Sequence, residues 1–98
     1  QLDRRFLDEL RSRITLSEVI GKRIKLTRAG RELKACCPFH NEKSPSFYVN
    51  DAKGFFHCFG CGAHGDAVSF RMRHDNLNFM EAVEGLASEA GLVMPKQD

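Results

Sequence analysis

Two short pairs of soft ligands constrain this chain more than any other feature: Cys37-Pro-Phe-His40 and Cys58-Phe-Gly-Cys61, with residues 41–57 between them. Each pair places its ligands at i and i+3, so a single tight turn can aim both side chains at one point. Two such turns supply four N/S donors, the number a tetrahedral structural zinc takes. With all four positions filled by protein, the metal has no open site for a water, and a structural role follows rather than a catalytic one. The chain has 98 residues and buries only a modest core by itself. A zinc ion worth on the order of 10 kcal/mol in a small finger is comparable to the whole stability of such a fold.

Three other groups compete for the metal. Cys36 adjoins Cys37 in the expected strand and should point to the opposite face, as a small buried hydrophobe. Its use as a ligand would still give a closable, wider-spaced pair. His57 should likewise face away from Cys58, whereas His64, three residues beyond Cys61, is the more serious rival. Gly62 can take a positive φ and let backbone N–H groups turn toward the thiolates.

Four cysteines without a signal-like apolar segment point to a reducing, cytoplasmic setting. No apolar run approaches the roughly 18 residues of a membrane span. The formal charge of +2 is unevenly placed. Residues 1–20 are balanced, residues 21–57 carry eight basic and three acidic groups, and residues 58–98 carry three basic and six acidic. The positive charge therefore gathers around the first knuckle, where it can attract a polyanion or form a solvated face.

Along the chain, Phe6, Leu7, Leu10 and Ile14 form one helical stripe, and Thr15 with Glu18 has capping-box spacing for a short second helix ending at Gly21. From Lys22 the pattern becomes β: Ile24 and Leu26 alternate with charges, Ala29-Gly30 is a turn, and Leu33, Ala35 and Cys37 share a face. A second hairpin pairs 46–50 with 55–58, placing Phe47 and Val49 on one face and Ser46, Tyr48 and Asn50 on the other. Gly62 and Gly65 keep the following backbone loose. Asp66 caps a helix to about His74, with Ala67, Phe70 and His74 facing inward. Asn78 and Glu81 cap another, with Phe79, Val83, Leu86 and Ala90 as its stripe up to Gly91. Residues 95–98 read as the start of a linker. The expected fold is α+β, a single unit over 1–98, with antiparallel strands carrying both knuckles at one end.

Cations and aromatic rings alternate through the β region: Arg31, Lys34, Lys43, Tyr48, Lys53, Phe55, Phe56 and His57. Cations follow a phosphate backbone and rings give unpaired bases a stacking surface, which suits a single strand better than a duplex groove. Each phenylalanine alone reads more readily as core than as a contact; Tyr48, on the outer face, is the better aromatic candidate. No nucleophile–base constellation, paired-carboxylate arrangement or phosphate-cradling glycine loop is visible, so a metal-dependent hydrolase is the weaker alternative.

The stretch from Cys37 through Phe47, with Asn41-Glu42-Lys43-Ser44-Pro45-Ser46 inside it, and the stretch Phe56-His57-Cys58-Phe59-Gly60-Cys61-Gly62-Ala63-His64-Gly65 together resemble the amino-terminal zinc-binding domain of bacterial replicative DNA primases. The likeness extends to the flanking helices and covers essentially the whole chain. It implies a zinc ribbon on a small antiparallel sheet with flanking helices, one structural Zn2+, and the ligand set Cys37, His40, Cys58 and Cys61. It further implies a module that binds single-stranded template to help select the primer start site. The catalytic polymerase domain is separate in that family, so this chain should bind and not polymerise. Lys34, Lys43, Lys53 and Phe56 match basic and aromatic positions of the family, and with Tyr48 they form the expected DNA-contact set. Expected partners are single-stranded DNA, the polymerase domain of the same or another chain, and the replicative helicase through a full-length protein. A protein-docking ribbon that orients the polymerase domain is the alternative, favoured by the acidic groups Glu81, Glu84 and Glu89.

Overall fold

The computed structural model describes residues 3–39 and 44–94. Asp3 opens helix α1 (Arg4–Arg13) by accepting the Arg5 amide, and α2 (Leu16–Gly21) follows at once. Five short strands come next: β1 (Thr27–Ala29), β2 (Glu32–Ala35), β3 (Phe47–Asn50), β4 (Phe55–Cys58) and β5 (His64–Gly65). They form one antiparallel meander in chain order. Helices α3 (Ala67–His74) and α4 (Phe79–Ala90) close the chain.

Strand parity divides the side chains between two environments. Leu33, Val49, Phe56 and Gly65 share one cross-strand row, and Ala35, Phe47 and Cys58 share the next. Most of these face the helices: Ala35, Phe47, Val49, Phe56 and Cys58 are buried with Leu10, Val19, Ile20, Phe70, Val83 and Leu86. The ring of Phe47 stacks on Phe56 at 5.2 Å, and Phe70 meets Phe56 edge-on at 5.8 Å. Each fully buried ring contributes about 2–3 kcal/mol. Gly65 is required by the approach of α3 to the sheet: with φ +151°, a Cβ there would lie 2.6 Å from the Ser69 Cβ.

Several local expectations are met. Asp66 accepts the Ser69 amide at the start of α3, and Asn78 and Glu81 form a reciprocal capping box on α4, which ends at a left-handed Gly91. The hairpin joins β3 to β4 across residues 51–54 as the pattern indicated.

Three readings are corrected. Thr15 makes no side-chain cap; instead Asp51, from the distant hairpin turn, accepts the Ser17 amide at 2.8 Å and its hydroxyl at 2.6 Å. The β pattern does not begin at Lys22, because the Arg23 and Ile24 amides still bond back to Ile20, and the first strand starts at Thr27. The residues after the second knuckle are not merely loose, since His64–Gly65 adds the edge strand β5.

The helices are joined by a charge cluster. Arg23 and Arg71 both donate to Asp75, Arg71 also reaches Glu89, and Lys22 donates to Glu89 at 2.8 Å. Burial opposes the Asp75 charge, but hydrogen bonds from His74, Arg71 and Arg23 prevail and bring its pKa down to about 2. Glu89 is also lowered: burial raises it, and Lys22, Arg71 and Arg23 outweigh that. Glu89 is therefore engaged inside the fold rather than offered to a partner, and Glu81 serves the cap of α4.

Candidate metal centre and nucleic-acid face

Cys37 lies just beyond β2, Cys58 ends β4, and Cys61 lies in the turn after it. Since β2 and β4 flank β3, the sulfurs meet across the end of a strand that carries none of them. Their Sγ atoms all lie within 4.8 Å of one another, with Cys37 and Cys61 at 3.8 Å. Zinc–sulfur bonds of about 2.3 Å give a tetrahedral edge of about 3.8 Å, which the Cys37–Cys61 pair matches, and the third sulfur is close enough to share the same ion. Among the described residues, the candidate metal cluster consists of these three cysteines. His40 lies outside the described residues. His64 is not brought into the cluster; its Nδ1 is 3.0 Å from the Gly62 carbonyl oxygen.

The knuckle backbone is built for anionic sulfur. The Gly62 amide donates to the Cys58 carbonyl at 2.8 Å, and the Cys58 amide to Ala63 at 2.7 Å. Gly62 adopts φ +81° to close this turn. Burial pushes the Cys58 thiol up, but the Ser46 hydroxyl and the amides of Cys61 and Gly60 donate to its sulfur and bring the pKa down to about 7. Burial prevails at Cys37, which is pushed up despite the Phe39 amide at 3.4 Å. A bound divalent cation would remove both protons. Cys36 lies outside the sulfur cluster, and it is exposed rather than buried.

The other face of the sheet carries a different chemistry. One cross-strand row runs Thr27, Lys34, Tyr48, His57, His64. Phe59, 70% exposed, lies beside this row with its ring 4.5 Å from His57 and 5.5 Å from Tyr48. Phe55 and His57 alternate along β4 on this face, and Lys53 stands 5.9 Å from the Phe55 ring centroid. Lys34 and Tyr48 are thus neighbours on one face, with Lys53 at its hairpin end.

Phe56, expected among the DNA contacts, is only 1% exposed and points to the helices, where Phe47 and Phe70 enclose it. Phe55 takes the opposite correction: read as core, it is 41% exposed. The parity of β4 accounts for both, because Cys58 must face the metal side and Phe56 shares its face. Phe59 was not among the expected contacts because it sits inside the Cys-Phe-Gly-Cys spacing, where only the sulfurs carried a reading. Counting by twos from Phe55 through His57 would have found it. Lys43 lies outside the described residues.

Residues 2–98 match the CHC2 zinc finger family, the zinc ribbon of DnaG-type primases. The chain is 54% identical over 94 residues to a DNA primase of Haemophilus influenzae, and 50% identical over 97 and 95 residues to those of Pasteurella multocida and Escherichia coli K12. These alignments cover 96%, 99% and 97% of the chain but only 16%, 17% and 16% of the relatives. The crystal structure of an Aquifex aeolicus primase, comprising zinc-binding and RNA polymerase domains, superposes with a TM-score of 0.87 at 38% identity. It covers 92% of this chain and 22% of that one. The fold and cysteine cluster define a zinc-ribbon protein. The chain belongs to the CHC2 zinc finger family found in DNA primases. Among the described residues, no helix is long and apolar enough to cross a membrane.

Proposed function

We propose that this chain is the template-recognition module of a bacterial-type DNA primase, holding one structural zinc and binding single-stranded DNA on the outer face of its sheet. The observation that carries the reading is the ring cluster on the outer face, the exposed Phe59 against half-buried Tyr48 and His57, flanked by Lys34 and set beside the cysteine centre. Rings stack on unpaired bases at about 1–3 kcal/mol per base, and lysines supply the salt-dependent attraction to phosphate. His40 completes the ligand set with Cys37, Cys58 and Cys61. The residues form one unit, and primer synthesis resides in a polymerase domain of the same or another chain. Contact with a replicative helicase would come through that larger cytoplasmic protein.

The zinc fixes the knuckle and takes no part in chemistry. The chain's own residues do the binding: Lys34, Lys43 and Lys53 on phosphate, Tyr48 and Phe59 on bases. A titration of labelled single-stranded DNA tests this. Tyr48→Ala and Phe59→Ala should each weaken binding at least several-fold with zinc content unchanged, and Lys43→Ala should also reduce the salt slope by about one. Unchanged affinity in both aromatic variants would overturn the sheet as the binding face. The docking alternative loses support from Glu89 and Glu81, which are engaged within the fold.

A further inference from the structure

At the end of the sheet away from the cysteines lies an open cavity of about 640 Å³. The β3–β4 hairpin forms one wall, and the α1–α2 junction and the start of α3 form the other. Its apolar lining includes Ile14, Leu16, Ala67 and the exposed ring of Phe55; its cations are Arg11 and Lys53. This volume lies within the roughly 300–1,000 Å³ of small-ligand sites.

The polar groups around it differ in availability. Asp51 gives both oxygens to Ser17, and Asp66 accepts the Ser69 amide while facing Arg11. The acids thus have internal work. Arg11 is half-exposed and holds Asp8 and Asp66 only at 3.5 and 3.6 Å, distances an incoming anion can replace. Lys53 stands over the Phe55 ring, where a cation can serve the phosphate of a group stacked on that ring. Phe55 also begins the line Phe55, His57, Phe59 along the outer face of β4, which spans about 13 Å at strand rise. Of this line, Phe55 at the hairpin end also borders the cavity.

We propose that this cavity is a nucleotide subsite, seating one base against Phe55 with its phosphate between Arg11 and Lys53. The proposal deepens the template-binding reading and draws its occupant from it. The shared chemistry is a base with a phosphate, supplied either by a single strand continuing off the sheet or by a free nucleotide.

The test uses the zinc-loaded chain, with Phe55→Leu and Arg11→Gln as variants that keep volume and reach, and oligothymidylates of increasing length as probes. Thermal unfolding verifies that both variants remain folded. Phe55→Leu should weaken binding about fivefold to a hundredfold for oligomers long enough to span from Phe59 to Phe55, and leave the shortest oligomers unaffected. Arg11→Gln should reduce the same long-oligomer affinity and its salt slope. Unchanged oligomer binding in both variants, with Tyr48→Ala and Phe59→Ala still weakening it, would overturn a template subsite and leave the sheet reading intact. Loss in the Phe55 variant with no loss in the two sheet variants would support the subsite and overturn the sheet reading. Amide shifts at Lys53, Gly54 and Phe55 identify the source. Shifts with adenosine triphosphate alone support a free-nucleotide site, and shifts with the oligomer alone support a template site. Shifts with neither overturn the proposal.

Discussion

The two flanks of the sheet are held by different means. On the helical side, Phe47, Phe56 and Phe70 pack together, and Arg23, Arg71, Asp75 and Glu89 tie α3 and α4 to the segment after α2. At the knuckle end, Cys37 meets Cys58 and Cys61 from a segment some twenty residues earlier, two of the sulfurs buried and that of Cys61 exposed. One region has its stabilising groups within the covalent chain; the other depends on an ion. The difference teaches that order at the knuckle and order in the helices need not be lost together.

Chelation or Cys58→Ser should have the largest effect, because structural zinc contributes on the order of 10 kcal/mol in small fingers. Hydrogen exchange should show the Cys58 and Gly62 amides losing protection first, with α3 and α4 retaining more. Equal loss everywhere would erase the contrast between the two regions. Phe56→Ala should destabilise the fold by about 3–5 kcal/mol, measured by denaturant unfolding of the zinc-loaded chain. A cost below 1 kcal/mol would deny its place in the core.

The Asp75 charge contributes roughly 2 kcal/mol. Its pKa falls from 3.8 to about 2 on folding, so the contribution is fully present above pH 4 and lost as pH falls through about 2. Asp75→Asn should remove that part of the acid dependence while leaving zinc content at neutral pH unchanged. The smallest effect belongs to Asn78→Ala, which removes the reciprocal cap of α4 and should cost about 1 kcal/mol without touching the metal end. Thermal unfolding and zinc stoichiometry together check that separation.

Much of this was legible in the sequence wherever the determinant was local. Asp66, Asn78 and Glu81 announced two helix starts within four residues of the groups they bond. The alternation around Tyr48 and the turn at 51–54 announced the β3–β4 hairpin. The cysteine spacing identified three residues whose sulfurs do converge. What escaped depends on groups distant in sequence: Asp51 capping α2, Glu89 gathering cations from two other segments, and β5 pairing with β4. Composition around Phe55 and Phe56 could not decide which ring is wet. Parity could, once Cys58 fixed the side facing the metal.

That parity has a further consequence for how the chain finds its fold. Strands of two to four residues hold their pairing weakly, and a slip by one position turns every side chain over. A slipped β4 would present His57 where Cys58 belongs and exchange the Phe56 ring for Phe55. It would forfeit a metal ligand and a core aromatic in the same step. With Cys37 just beyond β2 and Cys58 ending β4, a bound ion would therefore reward the correct register, because these sulfurs meet only when both pairings of β3 have formed in place.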